Sequence, residues 1–150
     1  MTDFIVADAG RCIGCQTCEV ACAMAHPSPS RFAPRLWVVK TAQVSVPVVC
    51  HQCENAPCVG ACPTGALSMG KDRVLADNVR CIGCNSCRVA CPFGALIVET
   101  APMNIVKCDL CGGLEEPSCV RVCPTQALRK MTAAELRQHQ RELQRGTAAG

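Results

Sequence analysis

The stretch RCIGCNSCRVACPFGAL, residues 80–96, sets Cys81, Cys84, Cys87 and Cys91 within eleven positions and follows the last with Pro92. C-x2-C-x2-C-x3-C-P is an iron-sulfur spacing in which three close cysteines hold three irons of one cubane and the fourth reaches a different cluster. Two x2 steps wrap a tight loop, and Gly83 lets the backbone approach the cluster sulfides. The x3 step places the next thiol one helical turn on, turned away from the loop. Pro92 then fixes the chain exit and removes one donor.

The pattern occurs four times. Group one is Cys12, Cys15, Cys18 and Cys22; group two is Cys50, Cys53, Cys58 and Cys62; the opening stretch is group three; group four is Cys108, Cys111, Cys119 and Cys123. Each group starts C-x2-C and ends C-x3-C, with middle gaps of two, four, two and seven residues. Groups two to four continue as CPTGAL, CPFGAL and CPTQAL, whereas group one has Cys22-Ala23, a departure that leaves ligation intact and bears only on the local exit. The four groups contain all 16 cysteines of the 150-residue chain. The recurrence covers most of the chain and leaves no room for a separate domain. The aromatics are Trp37, Phe4, Phe32 and Phe93, so a core of Val, Ile, Leu and Ala would be thin without metal or cross-links.

The N-terminus, MTDFIVADAGRC, has neither the basic start and apolar run of a secretory signal nor a twin arginine, so a cytoplasmic location is expected. No apolar stretch approaches the roughly 18 residues of a membrane helix, so no direct membrane insertion is expected. In a reducing compartment the cysteines read as ligands, not disulfides. Zinc ribbons also use C-x2-C knuckles, but they stop at four ligands and leave the x3 cysteines without a role. The formal charge of +3 does not argue for nucleic acid. Four sites, each holding a cubane on four thiolates, would bring it to about −5.

Between the groups, LWVVKTAQVSV (36–46) and SMGKDRVLADNV (68–79) have hairpin character, and APMNIVK (101–107) reads as a short strand. EVACAMA (19–25) and its counterparts RVAC, VGAC and VRVC suit single helical turns, and HPSPSRFAP (26–34) suits a loop. The tail MTAAELRQHQRELQRG predicts a helix with a Thr132/Glu135 capping box, a stop at Gly146 and a basic row of Arg137, Arg141 and Arg145. Such a helix is either solvated or docks against a partner.

The four groups, with VPVVCHQCENAPCVGACPTGAL and IVKCDLCGG, resemble the four-cluster ferredoxin-type subunits of molybdopterin and tungstopterin oxidoreductase complexes: dimethyl sulfoxide reductase, formate dehydrogenase, formate hydrogenlyase and aldehyde oxidoreductase. The resemblance spans roughly residues 3–128. It implies an α+β fold of two pseudo-symmetric bacterial ferredoxin-like modules, each binding two 4Fe-4S clusters, plus a C-terminal helix. The chain would then be one four-cluster domain over 1–130, with module A from about 1–30 and 101–130, module B from about 47–100, a hairpin insertion at about 31–46 and a tail at 131–150. The implied clusters are one on Cys12, Cys15, Cys18 and Cys123, a second on Cys22, Cys108, Cys111 and Cys119, a third on Cys50, Cys53, Cys58 and Cys91, and a fourth on Cys62, Cys81, Cys84 and Cys87. The spacing alone favours exchange of fourth ligands yet leaves nested and sequential pairing of groups open; the 27 residues between Cys22 and Cys50 are compatible with a break there.

Electron transfer without catalysis is the function expected. The chain has no nucleophilic triad, phosphate loop or HExxH, and His26, His51 and His139 are too scattered for a site. Fully thiolate-ligated cubanes have no open iron for substrate, so they pass single electrons. Arg11, Arg80, Lys107 and Arg121 lie beside cluster cysteines, where they would either raise potentials or remain solvated. The resemblance implies as partners a molybdenum- or tungsten-pterin or hydrogenase catalytic subunit and a second redox subunit of flavin or ferredoxin type; self-association stays open. Alternatives are a free-standing soluble polyferredoxin, a cysteine-rich zinc interaction module, and a redox enzyme acting alone.

Overall fold

The computed structural model describes residues 2–28 and 32–147. In chain order the elements are β1 (Asp3–Ala7), α1 (Thr17–Ala25), β2 (Trp37–Lys40), β3 (Ser45–Val48), α2 (Pro57–Ala61), β4 (Leu67–Met69), β5 (Val74–Ala76), α3 (Ser86–Ala90), β6 (Leu96–Thr100), β7 (Met103–Lys107), α4 (Ser118–Val122), β8 (Leu128–Thr132) and α5 (Ala133–Thr147). A short 3-10 turn at Leu110–Gly113 precedes α4. The centre of the loop expected at 26–34 lies outside the described residues.

The recurring C-P-x-x-A-L segment builds three of these helix-to-strand passages. Cys62, Cys91 and Cys123 are the C-caps of the five-residue helices α2, α3 and α4. Pro63, Pro92 and Pro124 follow and bar further helix, because proline offers no N–H and pushes the residue before it into extended backbone. Two residues on, Gly65, Gly94 and Gln126 take left-handed φ of 68°, 62° and 54°. The chain reverses, and the next two residues, Ala66-Leu67, Ala95-Leu96 and Ala127-Leu128, are all buried at 3% exposure or less. Those leucines open β4, β6 and β8.

Group one shows what happens without the proline. Ala23 keeps its N–H, so α1 runs for nine residues to Ala25 and Cys22 lies inside the helix instead of at its cap. The single turn expected at 19–25 is corrected accordingly. The counterparts in the other groups are close to the single turns expected.

Four two-stranded antiparallel sheets form among the described residues. The hairpins read from 36–46 and 68–79 are β2–β3 and β4–β5. The strand read from 101–107 is β7, and it pairs with β6. Strands β1 and β8 join the two ends of the chain, with Asp3 opposite Thr132 and Ala7 opposite Leu128. Local pattern had marked neither of them, because LRKMT alternates too weakly to stand out. Helix α1 packs against α4, and α2 against α3.

Two buried clusters follow the same division. Ile5, Leu36, Val49, Leu110 and Leu128 pack with Cys18, Cys22, Cys108 and Cys119. Ala56, Ala66, Leu67, Val74, Leu96 and Ile105 pack with Cys87. Helix α5 has its capping box: Thr132 N–H donates to Glu135 Oε2 at 2.7 Å, and Glu135 N–H to Thr132 Oγ1 at 3.3 Å. Gly146 does not stop it, since the helix continues to Thr147. Its first turns rest on β8, where Arg129 Nη2 lies 3.0 Å from His139 Nε2, and Arg137, Arg141 and Arg145 are exposed. No helix among the described residues is long and apolar enough to cross a membrane.

Candidate metal centres

Each group winds its loop through the left-handed region at the same place. The residue two positions after the first cysteine is Gly14, Gln52, Gly83 or Leu110, with φ of 68°, 47°, 72° and 57°. At Gly14 an added Cβ would lie 3.0 Å from Lys40 Cε, and at Gly83 3.1 Å from Met103 Cε, so glycine serves both conformation and space. Such left-handed steps curl the backbone into the concavities that hold anions and iron-sulfur centres.

The sixteen cysteines are all unbridged. Electrostatic influence among them runs between groups as well as within each group. Cys15 feels Cys123; Cys53 and Cys58 each feel Cys50 and Cys91; Cys84 feels Cys62, and Cys87 feels Cys62 and Cys81. Cys119 feels Cys108, Cys22, Cys111 and Cys18, in that order, and Cys108 feels Cys50 and Cys22. A hollow is lined by Cys62, Cys81, Cys84 and Cys87 and walled by apolar Leu67 and Ile105.

The thiol environments differ in kind. Burial pushes Cys18 up to about 11 and Cys108 up to about 12, and drives Cys119 far upward. Burial also raises Cys53, Cys58 and Cys87. Elsewhere donors prevail: Cys62 is somewhat buried, which opposes ionisation, yet backbone N–H groups and the Thr64 hydroxyl bring it down to about 7. Thr17 Oγ1 donates to Cys15 Sγ at 3.3 Å and lowers that thiol, and Ser86 does the same for Cys84. Ala127 N–H donates to Cys123 Sγ at 3.3 Å.

Nothing in the local pattern announces what gathers around Cys22. Arg35 N–H donates to Cys22 Sγ at 3.2 Å, and His26 Nδ1 lies 3.1 Å from Cys22 O. His26 Nε2 stands 3.0 Å from Asp109 Oδ1, and Arg35 Nη1 2.9 Å from Asp109 Oδ2. The Asp109 carboxylate first, then the Cys22 sulfur, raise His26 to about 10. Although burial opposes it, His26 and Arg35 hold Asp109 well below the usual carboxylate range.

Of the four cations expected to influence clusters, Arg11 and Arg80 are exposed and pair with Asp8 and Asp77, each at 3.6 Å, and Arg121 is exposed. Lys107 is different: it is 4% exposed. Its ammonium donates to Cys108 O at 2.7 Å, Val74 O at 3.0 Å and Gln52 Oε1 at 3.3 Å, all neutral acceptors. A buried cation with neutral partners needs a compensating negative charge nearby, and clustered thiolates around iron would provide it. His51 stacks on Phe93 at 3.8 Å, with its proton affinity lowered by burial. Among the described residues no three His, Cys, Asp or Glu side chains converge as a single ion requires. A cubane presents four separate irons, so its thiolates need not meet at one point.

Residues 41–132 match the model of the 4Fe-4S dicluster domain, and residues 9–25 that of a 4Fe-4S binding domain. The chain is 42% identical to the electron transport protein HydN of Escherichia coli (strain K12), covering 99% of this chain and 98% of that protein. It is 49% identical to the putative oxidoreductase UacF of the same strain, where it spans 100% of this chain but 24% of that protein. Among solved structures, the active-site complex BamBC of benzoyl coenzyme A reductase, in complex with zinc, is similar at a TM-score of 0.51 and 26% identity, covering 95% of this chain and 89% of that one. The cysteine groups thus lie within matched 4Fe-4S domains, and the chain belongs to the 4Fe-4S dicluster family, an iron-sulfur electron-transport protein that holds multiple 4Fe-4S clusters.

Proposed function

We propose that this chain is a non-catalytic subunit that carries single electrons through four 4Fe-4S clusters, between a catalytic oxidoreductase subunit and a second redox subunit or carrier. The observation that carries the reading is the hollow where Cys62 of group two joins Cys81, Cys84 and Cys87 of group three. On it we assign the sets Cys12, Cys15, Cys18 and Cys123; Cys22, Cys108, Cys111 and Cys119; Cys50, Cys53, Cys58 and Cys91; and Cys62, Cys81, Cys84 and Cys87. The packing of α1 on α4 and of α2 on α3 supports two modules, one from groups one and four and one from groups two and three.

The clusters, when bound, each take up or release one electron. The protein's part is to fix their order and exposure. The influence of Cys18 on Cys119 supports a row in which the first set neighbours the second, and that of Cys50 on Cys108 one in which the second neighbours the third. Cys15 and Cys84, in the outer sets, are exposed, which suits exchange with partners at the two ends. The occurrence of a matching unit within the longer UacF, and of a similar chain in the BamBC complex, supports a place beside a larger redox protein. We assign the catalytic partner to the molybdenum- or tungsten-pterin or hydrogenase class, and the location to the cytoplasm, where sixteen unbridged thiols are stable.

Anaerobic co-purification from the native source tests this. The expected result is roughly 16 irons per chain, broad absorption near 400 nm, and a co-eluting protein containing molybdenum, tungsten or nickel. Zinc in place of iron, or substrate turnover by the chain alone, would overturn the reading.

A further inference from the structure

The one buried cation of the molecule's described residues is not beside a single cluster set but between two. Lys107 ends β7 and immediately precedes Cys108. Its ammonium reaches across to Gln52, which sits between Cys50 and Cys53. Gln52 is itself 1% exposed and held at three points: Nε2 donates to Cys108 O at 2.7 Å, and Oε1 accepts from Val74 N–H at 3.0 Å and from Lys107. Groups one and three have glycine at the matching position. Gln52 accepts the left-handed backbone there, a strain that a fully hydrogen-bonded side chain makes worth keeping. The charge of Lys107 is felt by Cys53 and Cys58 on one side and by Cys108 on the other.

From this geometry we infer that Lys107, positioned by Gln52, is a fixed charge shared by the second and third cluster sets, raising the reduction potential of both and of neither outer set. The inference rests on the ligand sets proposed above. Each one-electron reduction adds a negative charge, so a nearby cation stabilises the reduced form. Coulomb energy falls with distance and is strong where water is excluded, so the two flanking sets gain and the outer two do not. The middle of the row is thereby made the place where an arriving electron rests, and the two modules are coupled through one side chain.

The test is a set of redox titrations of the iron-loaded full chain, with cluster signals assigned from Cys22→Ser for the second set and Cys91→Ser for the third. Lys107→Met, with its iron retained, is expected to move those two potentials downward and leave the other two in place; Lys107→Arg is expected to restore them. Gln52→Glu sets a carboxylate against the ammonium and is expected to move the same two signals downward. Four unchanged potentials, or four that move together, would overturn the inference. So would iron loss in both Lys107→Met and Gln52→Glu, which would make the pair purely structural. If Cys22→Ser and Cys91→Ser mark two separate clusters but Lys107→Met moves neither, the ligand sets stand and this inference fails. If the two serine variants perturb one and the same cluster, the ligand sets themselves fail, and with them the placement of Lys107.

Discussion

Groups one and four bury four of their eight cysteines (Cys18, Cys22, Cys108 and Cys119), whereas groups two and three bury only Cys87. In this first half burial makes Cys18, Cys108 and Cys119 resist ionisation, donors lower Cys15 and, against burial, Cys123, and Cys22 is braced by Arg35, His26 and Asp109. In the second half burial raises Cys53, Cys58 and Cys87 less far, and donors lower Cys62 with Thr64 and Cys84 with Ser86. Thiolate is the form that binds iron, so the first half gains most of its ionisation from the metal itself. Cluster insertion and folding should therefore be more tightly coupled there than in the second half.

The largest contrast should come from paired ligand removals. Cys22→Ser is expected to cost about a quarter of the iron, and Cys62→Ser less than that. Cys22→Ser should lose its cluster outright, because the site is buried within a helix, while Cys62→Ser should retain part of its cluster. Iron analysis with EPR checks this, and equal retention would erase the contrast. The helix exit is next. Ala23→Pro inserts into α1 the residue that ends the other three helices and is expected to destabilise the first half by about 3 kcal/mol. Pro92→Ala should change stability by less than about 1 kcal/mol. Anaerobic bleaching of the 400 nm absorption in guanidinium measures both.

Asp109→Asn removes the carboxylate shared by His26 and Arg35. With that carboxylate about a third exposed, the expected cost is about 1–2 kcal/mol, seen as faster bleaching of the Cys22-dependent cluster alone. The smallest effect is expected at the tail. Thr132→Ala should cost about 1 kcal/mol of local helix stability, visible as faster amide exchange in the first turn of α5 with no loss of iron. Iron loss there would mean that the tail supports the clusters.

The legible part of the fold is the part written in short-range spacing. The C-x2-C loops, the hairpins near 36–46 and 68–79, and the Thr132/Glu135 box are visible because each depends on residues within a few positions of one another. The CPxxAL passages were visible as a repeat, but the strands they open at Leu96 and Leu128 were not, since β6 and β8 need partners to show themselves as strands. The full length of α1, Thr17–Ala25, exceeds the single turn read over 19–25, because Ala23 in place of proline lets the helix continue. Lys107 stood out in the sequence only as one of four cations beside cysteines. Gln52 could have been noticed by its departure from the glycine of CIGC, the one local trace of the junction.

Sequence by itself determined the chemistry: sixteen thiols in four groups of iron-sulfur spacing. Only the tertiary structure decided that α1 lies on α4 and α2 on α3, that β1 pairs with β8, and that the buried Lys107 bonds to Gln52 and Cys108. The physical reason is range. A C-x2-C step constrains neighbouring dihedrals, while the bond from Gln52 to Cys108 O joins residues 56 positions apart and depends on how every intervening element packs.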